Sequence, residues 1–428
     1  MFSYPKSTVL LLLACACMCF GQSTWVWRNP LPQGNSLNSV TYGNGLFVAV
    51  GCTTTTPQTG TVLTSPDGST WTTRSMGATN ILCSVTYGNG LFVAVGNKGT
   101  ILTSPNGTTW TESNSGTTGD LVLYSVTYGN GLFVAVGWNF TSLTGTVLTS
   151  PDGSTWTTRS MGATNILCSV TYGNSLFVAV GEGDTILTSV DGTTWTGRNS
   201  GTSGTLYLCS VTYGNGLFLV VGWDTAVLAG AVLISLDGST WIYRDPGTTA
   251  GIYTTELTFV TYGNGLFVAV GIGVEERKGV WYKRILTSPN GTTWTATNLD
   301  TPATTIQPIT SVTYGNSQFV AVGLGGTILT SKADNIGVIQ SSSKVLYTSK
   351  LRININKNGI AALLPQTLTK EILTVGLFTI AGKKIYSATN QANKGTLNIP
   401  LASLSTGLYI ISISGGNTAL SSSFVVTK

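Results

Sequence analysis

The sequence predicts an all-β fold, a seven-bladed β-propeller, on three observations. One phrase, Val-Thr-Tyr-Gly-Asn followed by an apolar run that ends in Val-Gly, recurs seven times between Ser39 and Thr330. The spacing of its copies varies between 41 and 52 residues, the period expected when each copy is one four-stranded blade. The same region lacks the 3.6-residue periodicity of a helix.

Residues 1–21 have the pattern of a secretory signal peptide. Lys6 precedes a leucine-rich core, and Cys19-Phe20-Gly21 before Gln22 is a suitable cleavage site. This pattern predicts that the protein is exported. Leu12-Leu13-Ala14-Cys15 also resembles a bacterial lipoprotein signal, so lipidation of Cys15 is the open alternative to cleavage after Gly21.

The second repeat shows how one blade is built. Strand A is predicted to begin at Ile81, and Asn89-Gly90 is a hairpin signal that tolerates positive φ at both central positions. Strand B then covers Leu91 to Val95, strand C covers Thr100 to Thr103, and strand D covers Thr109 to Thr111. Strand B is apolar at every position, which predicts burial on both faces between neighbouring blades.

The two ends of the repeat array complement each other. The seventh repeat supplies only three strands, between Thr310 and Thr330, whereas the segment from Thr24 to Arg28 matches the strand-D segment from Thr70 to Arg74. We therefore predict that the N-terminal strand completes the seventh blade, which leaves no open sheet edge. The propeller is expected to cover residues 22–338.

Six repeats end in a turn with the pattern Ser-x-Asp/Asn-Gly-x-x-Trp. Its acid or amide is Asp67, Asn106, Asp152, Asp191, Asp237 and Asn290. The turn resembles the Asp-box of BNR repeats in sialidase-like propellers, and this resemblance implies the propeller fold. Locally, the Asp or Asn bonds backbone N–H groups ahead of it, the Gly supplies positive φ, and the Trp packs over the hairpin. Because equivalent turns are distributed round a ring, we predict a structural role for these residues.

The resemblance to sialidases does not extend to their catalytic residues. An arginine cluster that grips a carboxylate needs several Arg side chains aimed at one point. Here each repeated arginine follows a different strand-D tryptophan by three places: Arg28, Arg74, Arg159, Arg198 and Arg244. They are predicted to lie on separate blades, and the Phe-Arg-Ile-Pro stretch of sialidases is missing.

Composition narrows the function classes. Only 9% of the 428 residues are charged and none is His, which removes the usual general base and the commonest metal ligand. Four cysteines follow the signal peptide: Cys52, Cys83, Cys168 and Cys209. The last three occupy one repeat position in different blades, so we predict small buried side chains and not disulfides. No metal site, cofactor or membrane-spanning helix is predicted.

The composition changes near residue 339, where a serine-rich linker (residues 339–345) is predicted. Residues 22–339 carry 11 basic and 15 acidic residues, whereas the tail carries nine basic residues and one acidic residue, Glu371. These bases are dispersed, which argues against nucleic-acid binding. Residues 346–428 are predicted to form a small antiparallel β-sandwich. Its expected strands are Ser349 to Ile355, Gly359 to Leu364, Thr374 to Ile380, Lys383 to Ser387, Gly395 to Ile399, Leu408 to Ser414 and Ser421 to Val426.

Three motifs of this tail carry a second resemblance. They are the segment from Val375 to Lys384, the segment from Leu404 to Tyr409, and the terminal Phe424-Val425-Val426-Thr427-Lys428. In order and spacing they resemble the C-terminal sorting domain of bacterial type IX secretion cargo. The resemblance implies that residues 346–428 interact with the secretion machinery and that the protein is secreted or lies on the outer cell surface.

One face of the predicted propeller is a candidate binding face. The D-to-A and B-to-C connections emerge there and vary in length and content, and ligand contacts concentrate in such loops. Aromatic residues outside the repeat pattern suit sugar stacking or a protein contact, although they also suit a capping role. The candidate ligand-binding residues are Trp138, Phe140, Trp223, Asp224, Trp281, Tyr282, Tyr207 and Tyr253.

The hypothesis from sequence is a monomeric, non-catalytic binding propeller for glycans or extracellular proteins. The alternative is a sialidase-like or xyloglucanase-like glycoside hydrolase, which needs two carboxylates about 5 to 10 Å apart. Acids outside the repeat pattern are Asp120, Glu182, Asp184, Asp224, Glu256, Glu275, Glu276 and Asp300. The segment Gly60 to Gly96 recurs as Gly145 to Gly181 with one difference, and such recent copying favours the binding role.

Overall fold

The computed structural model contains nine antiparallel sheets, seven of them in residues 25–332. The structure describes residues 25–332 except 29–33, 77–79, 118–119, 160, 162–164, 247, 250–251, 276–279 and 300–307, and in the tail 352–356, 359–363, 372–379, 384–391, 396–399, 407–415 and 418–426. The predicted signal peptide (1–21) and linker (339–345) lie outside the described residues.

Each of the seven sheets is one blade, with strands A to D in sheet order. The strands are Ser36–Gly43, Leu46–Cys52, Gly60–Ser65 and Thr72–Arg74 in blade 1; Leu82–Gly88, Leu91–Gly96, Ile101–Ser104 and Thr111–Ser113 in blade 2; Leu121–Gly129, Leu132–Asn139, Thr144–Ser150 and Thr157–Arg159 in blade 3; and Leu167–Gly173, Leu176–Gly181, Ile186–Ser189 and Thr196–Arg198 in blade 4. They continue as Leu206–Gly214, Leu217–Asp224, Ala229–Ser235 and Ile242–Arg244 in blade 5; Ile252–Gly263, Leu266–Glu275, Val280–Ser288 and Thr295–Asn298 in blade 6, with an extra strand Thr248–Thr249; and Ile309–Gly315, Gln318–Gly323, Ile328–Lys332 and the N-terminal Val26–Trp27 in blade 7. A short 3-10 turn covers Leu324–Gly326. This architecture confirms the seven-bladed propeller.

The N-terminal strand closes the ring as predicted. Val26 pairs with Thr330 and Trp27 with Leu329, and the Arg28 backbone N–H donates to the carbonyl of Ile328 at 3.0 Å. The Nζ atom of Lys283 in blade 6 lies 5.1 Å from the centre of the Trp27 ring. A strand of two residues is thus held by strand C of its own blade and by blade 6.

Strand D begins later than the sequence indicated. In blade 2 the prediction of Thr109 to Thr111 was wrong by two residues, because strand D is Thr111–Ser113. Trp110 belongs to the preceding turn, since its indole N–H donates to the carbonyl of Gly107 at 3.0 Å.

The hydrophobic core lies between blades. Val93 and Val95 of blade 2 share one cluster with Phe133 and Ala135 of blade 3, and all four side chains are fully buried. Seven such clusters occur among the described residues, one at each blade interface. The burial of strand B on both faces is therefore confirmed.

The repeated Tyr-Gly pair at the end of strand A joins each blade to the next. A Cβ atom at Gly129 would lie 2.1 Å from Cγ of Tyr172, so this position has no room for a side chain. The same contact occurs at Gly43 with Tyr87, Gly88 with Tyr128, Gly173 with Tyr213, Gly214 with Tyr262, Gly263 with Tyr314, and Gly315 with Tyr42. The last pair connects blade 7 to blade 1, so one motif closes the whole ring.

A second set of contacts joins the A strands beside the axis. The backbone N–H of Val211 donates to Oγ of Ser169 in the preceding blade at 3.2 Å. Equivalent bonds join Val40 to Ser311, Val85 to Ser39, Val126 to Ser84, Val170 to Ser125 and Val260 to Ser210. Phe259 occupies the serine position in blade 6, where the hydroxyl of Thr258 instead donates to the carbonyl of Ile309 in blade 7 at 2.9 Å.

The tail forms two further antiparallel sheets. One contains Arg352–Asn356, Gly359–Leu363 and Thr396–Ile399, and the other contains Lys384–Gln391, Ile372–Thr379, Gly407–Gly415 and Thr418–Val426. Each strand lies within a few residues of its predicted range. The chain divides into two compact units, Met1–Ile339 and Gln340–Lys428.

Candidate functional site

Two raised hairpins are the main features of the variable face. They connect strands B and C in blades 3 and 5, and Asn139 and Asp224 stand at the same place in them. Oδ1 of Asn139 accepts the backbone N–H groups of Thr141 (2.9 Å) and Ser142 (3.0 Å), while Oδ1 of Asp224 accepts that of Ala226 (2.9 Å). Asp224, a predicted ligand residue, therefore also orders its own turn.

The tips of these hairpins expose apolar side chains. Phe140 and Leu143 in blade 3 are 50% and 65% exposed, and Val227 and Leu228 in blade 5 are 65% and 67% exposed. Leu143 and Leu228 both adopt φ +52°, a left-handed conformation that is uncommon for residues other than Gly, Asn and Asp. Phe140 was predicted from the sequence but both leucines were not, because a leucine in a loop carries no motif.

The predicted aromatic residues of blades 3 and 5 form two ring pairs. Trp138 meets Phe140 edge-on with centroids 6.5 Å apart, and Tyr207 meets Trp223 at 6.1 Å. Trp138 and Trp223 occupy the same place in strand B, opposite Gly145 and Gly230 of strand C. All but Phe140 are half-buried, so they support the hairpins as well as bordering the face.

The remaining predicted residues lie on blade 6. Tyr253 and Trp281 both pair with Val274, one from strand A and one from strand C. Tyr282 pairs with Gly273 and is half-buried. The side chains of Tyr253 and Trp281 lie outside the described part of the chain. Blade 6 is thus a separate location from the two ring pairs of blades 3 and 5.

An open pocket of about 420 Å³ lies between blades 2 and 3 on the same face. Its polar lining includes the amides of Gln58, Asn80 and Asn97. Lys98 and Asp120 add one charge of each sign, and Phe140 of the blade 3 hairpin forms one wall. This lining combines an aromatic ring with hydrogen-bonding groups, as small-molecule sites do.

Asp184, an acidic residue of the variable face, has a structural role. The carboxylate of Asp184 accepts hydrogen bonds from the Ser200 hydroxyl (2.9 Å) and from the Thr202 hydroxyl. It also accepts the backbone N–H groups of Gly204 (2.8 Å) and Leu206 (2.6 Å). Asp184 therefore ties the B-to-C loop of blade 4 to the connection leading into blade 5.

The Asp and Asn residues of the repeated turns act locally. Oδ1 of Asp191 accepts the backbone N–H groups of Thr193 and Thr194, both at 2.8 Å. Asn106 accepts the equivalent groups of its own turn at 2.9 and 3.0 Å. Hydrogen bonds led by the Ser154 backbone N–H lower the pKa of Asp152 to about 2. The turns need an acceptor oxygen, and either residue type supplies one.

Replacing Asp by Asn in these turns is expected to change how the stability of the protein depends on pH, while the fold is kept. Asp152→Asn with Asp191→Asn keeps the acceptor oxygens, so the melting temperature at pH 7 falls only slightly. An unfolded Asp has a pKa near 3.9, above the folded value of Asp152. The carboxylate therefore stabilises the parent above about pH 4, and this advantage disappears as the pH falls toward 2. Melting curves between pH 7 and pH 2 measure it.

Asn106→Ala is the control for this experiment. It removes an uncharged acceptor from two backbone N–H groups, so its loss of stability should not depend on pH. A parent and double variant whose melting temperatures stay the same distance apart down to pH 2 would contradict the expectation.

The axis of the propeller contains a cavity that sequence analysis missed. Strand A has a β-bulge in every blade, between the residue before the cysteine position and the repeated serine. A bulge redirects a side chain, and the bulged residues are Asn38, Cys83, Tyr124, Cys168, Cys209, Thr258 and Thr310. Six of these side chains, with Tyr207 and Phe259, line a cavity of about 420 Å³. The sequence carried one signal for this cavity, namely the position of strand A that varies between repeats in an otherwise constant strand.

The prediction that three cysteines form no disulfide is confirmed, whereas the prediction that they are buried holds only in part. Cys83, Cys168 and Cys209 are free thiols that border the axial cavity and are not fully buried. Burial raises the pKa of Cys83 to about 12 and that of Cys168 to about 11, so the thiols stay protonated at neutral pH and are poor nucleophiles. In the described ranges no three Cys, Asp or Glu residues are placed to hold a metal ion.

Solved structures share the fold at low sequence identity. A structure entitled "YCF48 bound to D1 peptide" matches with 15% identity and a TM-score of 0.53, covering 76% of this chain and 99% of its own. A catalytically inactive virginiamycin B lyase from Staphylococcus aureus with quinupristin matches with 11% identity and a TM-score of 0.56, covering 72% and 98%. Among curated proteins none matches the chain. In the part that the structure describes, no helix has the length and apolar character needed to span a membrane.

Two family models match the sequence. Residues 348–427 match the secretion system C-terminal sorting domain, which confirms the predicted tail and implies an interaction with the secretion machinery. Proteins with this domain are secreted by bacteria to the cell surface or the extracellular space. Residues 132–352, more than half of the chain, match the DUF6242 beta propeller domain. The chain therefore belongs to the DUF6242 beta propeller family and carries a type IX secretion tail.

Proposed function

We propose that this protein is an exported binding propeller that recognises the apolar surface of a partner protein through the hairpins of blades 3 and 5. The observation that carries the proposal is the pair of exposed leucines, Leu143 and Leu228, in left-handed backbone conformation. For an L-residue this conformation costs about 1–2 kcal/mol. Folding alone does not favour an exposed aliphatic side chain at such a position, and backbone strain of this kind concentrates at functional sites.

The chemistry of the tips favours protein over sugar. Leu143, Val227 and Leu228 are aliphatic and exposed, and they offer neither a flat ring nor a hydrogen bond to a saccharide. Exposed apolar groups with aromatic neighbours are typical of the centre of protein interfaces. One of the similar structures is entitled as a complex with a peptide, which supports a peptide or protein ligand, although at 15% identity the likeness extends to the fold alone.

A glycan is the second candidate ligand, at a different place on the same face. The pocket between blades 2 and 3 places Phe140 beside three amides, Asp120 and Lys98. An aromatic ring for stacking with several amide groups suits a saccharide. This candidate also needs Phe140, but it does not need Leu228.

Hydrolysis of a glycoside remains the alternative activity. It requires two carboxylates that both face a substrate. Asp184 is engaged by four hydrogen bonds of its own loops, and Asp224 accepts one within its hairpin. We also propose that the repeated turns are Asp-boxes. The geometry that the six turns share supports this assignment.

The test exchanges both leucines for asparagine, a residue that adopts the left-handed conformation easily. We expect Leu143→Asn with Leu228→Asn to preserve or raise the melting temperature, because the strain falls. Peptides selected from a random display library on the parent propeller should bind this variant at least tenfold more weakly. Affinities measured by surface plasmon resonance and melting curves of the same samples give both quantities.

Val190→Ser is the matched control. Val190 is as exposed as Leu228, at 67%, but it lies in the Asp-Gly turn of blade 4 on the opposite face. The control should bind the selected peptides as the parent does. Equal binding by parent and double-leucine variant would overturn the proposal, and so would an equal loss in Val190→Ser. A glycan array with the parent and Phe140→Ala tests the second candidate.

A further inference from the structure

The axial cavity is a second candidate site, and its lining offers acceptors. Asn38 donates one amide hydrogen to the carbonyl of Leu82 at 2.8 Å, and the Thr310 hydroxyl donates to that of Leu37 at 2.6 Å. The Cys83 thiol donates to Oδ1 of Asn97 at 3.7 Å. These hydrogens point away into the blades, so the lone pairs of the same groups remain for a ligand.

Two carboxylates make the surroundings of the cavity negative. Glu256 lies half-buried on strand A of blade 6, and burial raises its pKa. Its charge also raises the pKa of the Cys209 thiol, after the larger effects of burial and of Cys168. Burial and then neighbouring cysteines raise the pKa of Tyr124 and Tyr207, and the charge of Glu182, in the B-to-C loop of blade 4, adds a smaller effect.

Glu256 occupies the strand-A position in blade 6 that Tyr207, a residue of the cavity lining, occupies in blade 5. The backbone N–H of Glu182 donates at 3.1 Å to the carbonyl of Ile166, two residues before Cys168 of the lining. Both carboxylates therefore belong to residues beside the cavity.

No described basic side chain balances these charges at the cavity lining. The chain has no His, and the buried Lys283 lies against Trp27 of the closing strand instead. The rings of Tyr124, Tyr207 and Phe259 belong to the lining, and aromatic faces attract cations. Acceptor atoms, aromatic rings and nearby carboxylates all favour a positively charged ligand with N–H donors.

We propose that the axial cavity binds a small alkylammonium ion. The ammonium group would donate to oxygen atoms of Asn38, Tyr124 and Thr310, with its charge balanced by Glu256 and Glu182. The volume of about 420 Å³ lies within the range of small-molecule sites, about 300–1,000 Å³. None of the residues named for this site belongs to the exposed tips of the blade 3 and blade 5 hairpins, and Tyr207 is the one that also pairs with Trp223 of the blade 5 hairpin.

Calorimetric titration of the purified protein tests this assignment. We expect n-butylammonium chloride to bind and sodium butyrate, at the same ionic strength, not to bind. Glu256→Gln should weaken butylammonium binding at least fivefold, and Glu182→Gln with Glu256→Gln should remove it. Glu112→Gln, an exposed acid on strand D of blade 2, should leave binding unchanged.

Urea unfolding of each variant separates loss of binding from loss of fold. If Glu256→Gln does not fold, the single variant Glu182→Gln in its loop supplies the result, with an expected weakening of at least threefold. Butyrate binding as tight as that of butylammonium would overturn the proposal. Undiminished butylammonium binding by a folded double variant, or no binding by the parent, would overturn it as well.

Discussion

Gly129→Ala is expected to destabilise the propeller by at least about 3 kcal/mol, the upper end of overpacking costs. The added Cβ would lie 2.1 Å from Cγ and 2.4 Å from Cβ of Tyr172. The Tyr172 ring cannot withdraw, because it packs against Phe177 with centroids 4.6 Å apart. Relief of the clash therefore requires that blades 3 and 4 separate. Urea unfolding followed by far-ultraviolet circular dichroism measures the loss.

Gly197→Ala is the matched control for this prediction. Gly197 lies in strand D of blade 4, and an added Cβ there meets nothing within 4 Å. Its free energy of unfolding should stay the same or rise by less than about 1 kcal/mol. The double variant Gly129→Ala with Tyr172→Ala should lose less than the sum of its single variants, because truncation removes the contacts with Cγ and Cδ1 of Tyr172 and leaves only the one with its Cβ. Equal losses in Gly129→Ala and Gly197→Ala would show that the Tyr-Gly contact does not hold the blades together.

Trp156→Ala is expected to cost about 3–5 kcal/mol, the usual range for a large aromatic residue removed from a core. Trp156 is 5% exposed and shares a core cluster with Phe133, whose ring centre lies 6.5 Å away. Its indole N–H donates to the carbonyl of Gly153 at 2.9 Å. Truncation thus opens a cavity between blades 2 and 3 and leaves that carbonyl without its donor.

Two comparisons separate these effects. Trp156→Phe keeps most of the buried ring and loses the N–H group, so it should cost clearly less than Trp156→Ala. Trp110 is the equivalent residue of blade 2 but is only half-buried, so Trp110→Ala should also cost less. Similar losses for Trp156→Ala and Trp110→Ala would contradict the dependence on burial. The midpoints of urea unfolding decide between these outcomes.

Much of the fold was predictable because each blade repeats the same local rules. Asn89 and Gly90 have φ values of +50° and +76°, as a two-residue hairpin requires, and the pattern recurs in every blade. The N-terminal strand was predictable because the segment from Trp25 to Arg28 copies a strand that the seventh repeat lacks. Errors arose at strand D, since the hydrogen bond that draws Trp110 into the turn is not visible in a residue pattern.

The candidate sites were only partly predictable. Aromatic residues outside the repeat pattern identified Trp138, Phe140 and Trp223, since a departure from a repeat is visible in the letters. The importance of Leu143 and Leu228 depends on backbone angle and exposure, which no motif encodes. The cysteines at positions 83, 168 and 209 were visible, but the direction of their side chains was not.

The sequence by itself determined the blade count, the closing strand and the secretion tail, because each follows from local patterns that recur or match along the chain. Only the tertiary structure decided which residues share a surface. A β-bulge that shifts one residue in strand A turns the variable position toward the axis, and six such residues from distant parts of the chain then line one cavity. That convergence results from closing the ring, a property of the whole molecule that no single repeat contains.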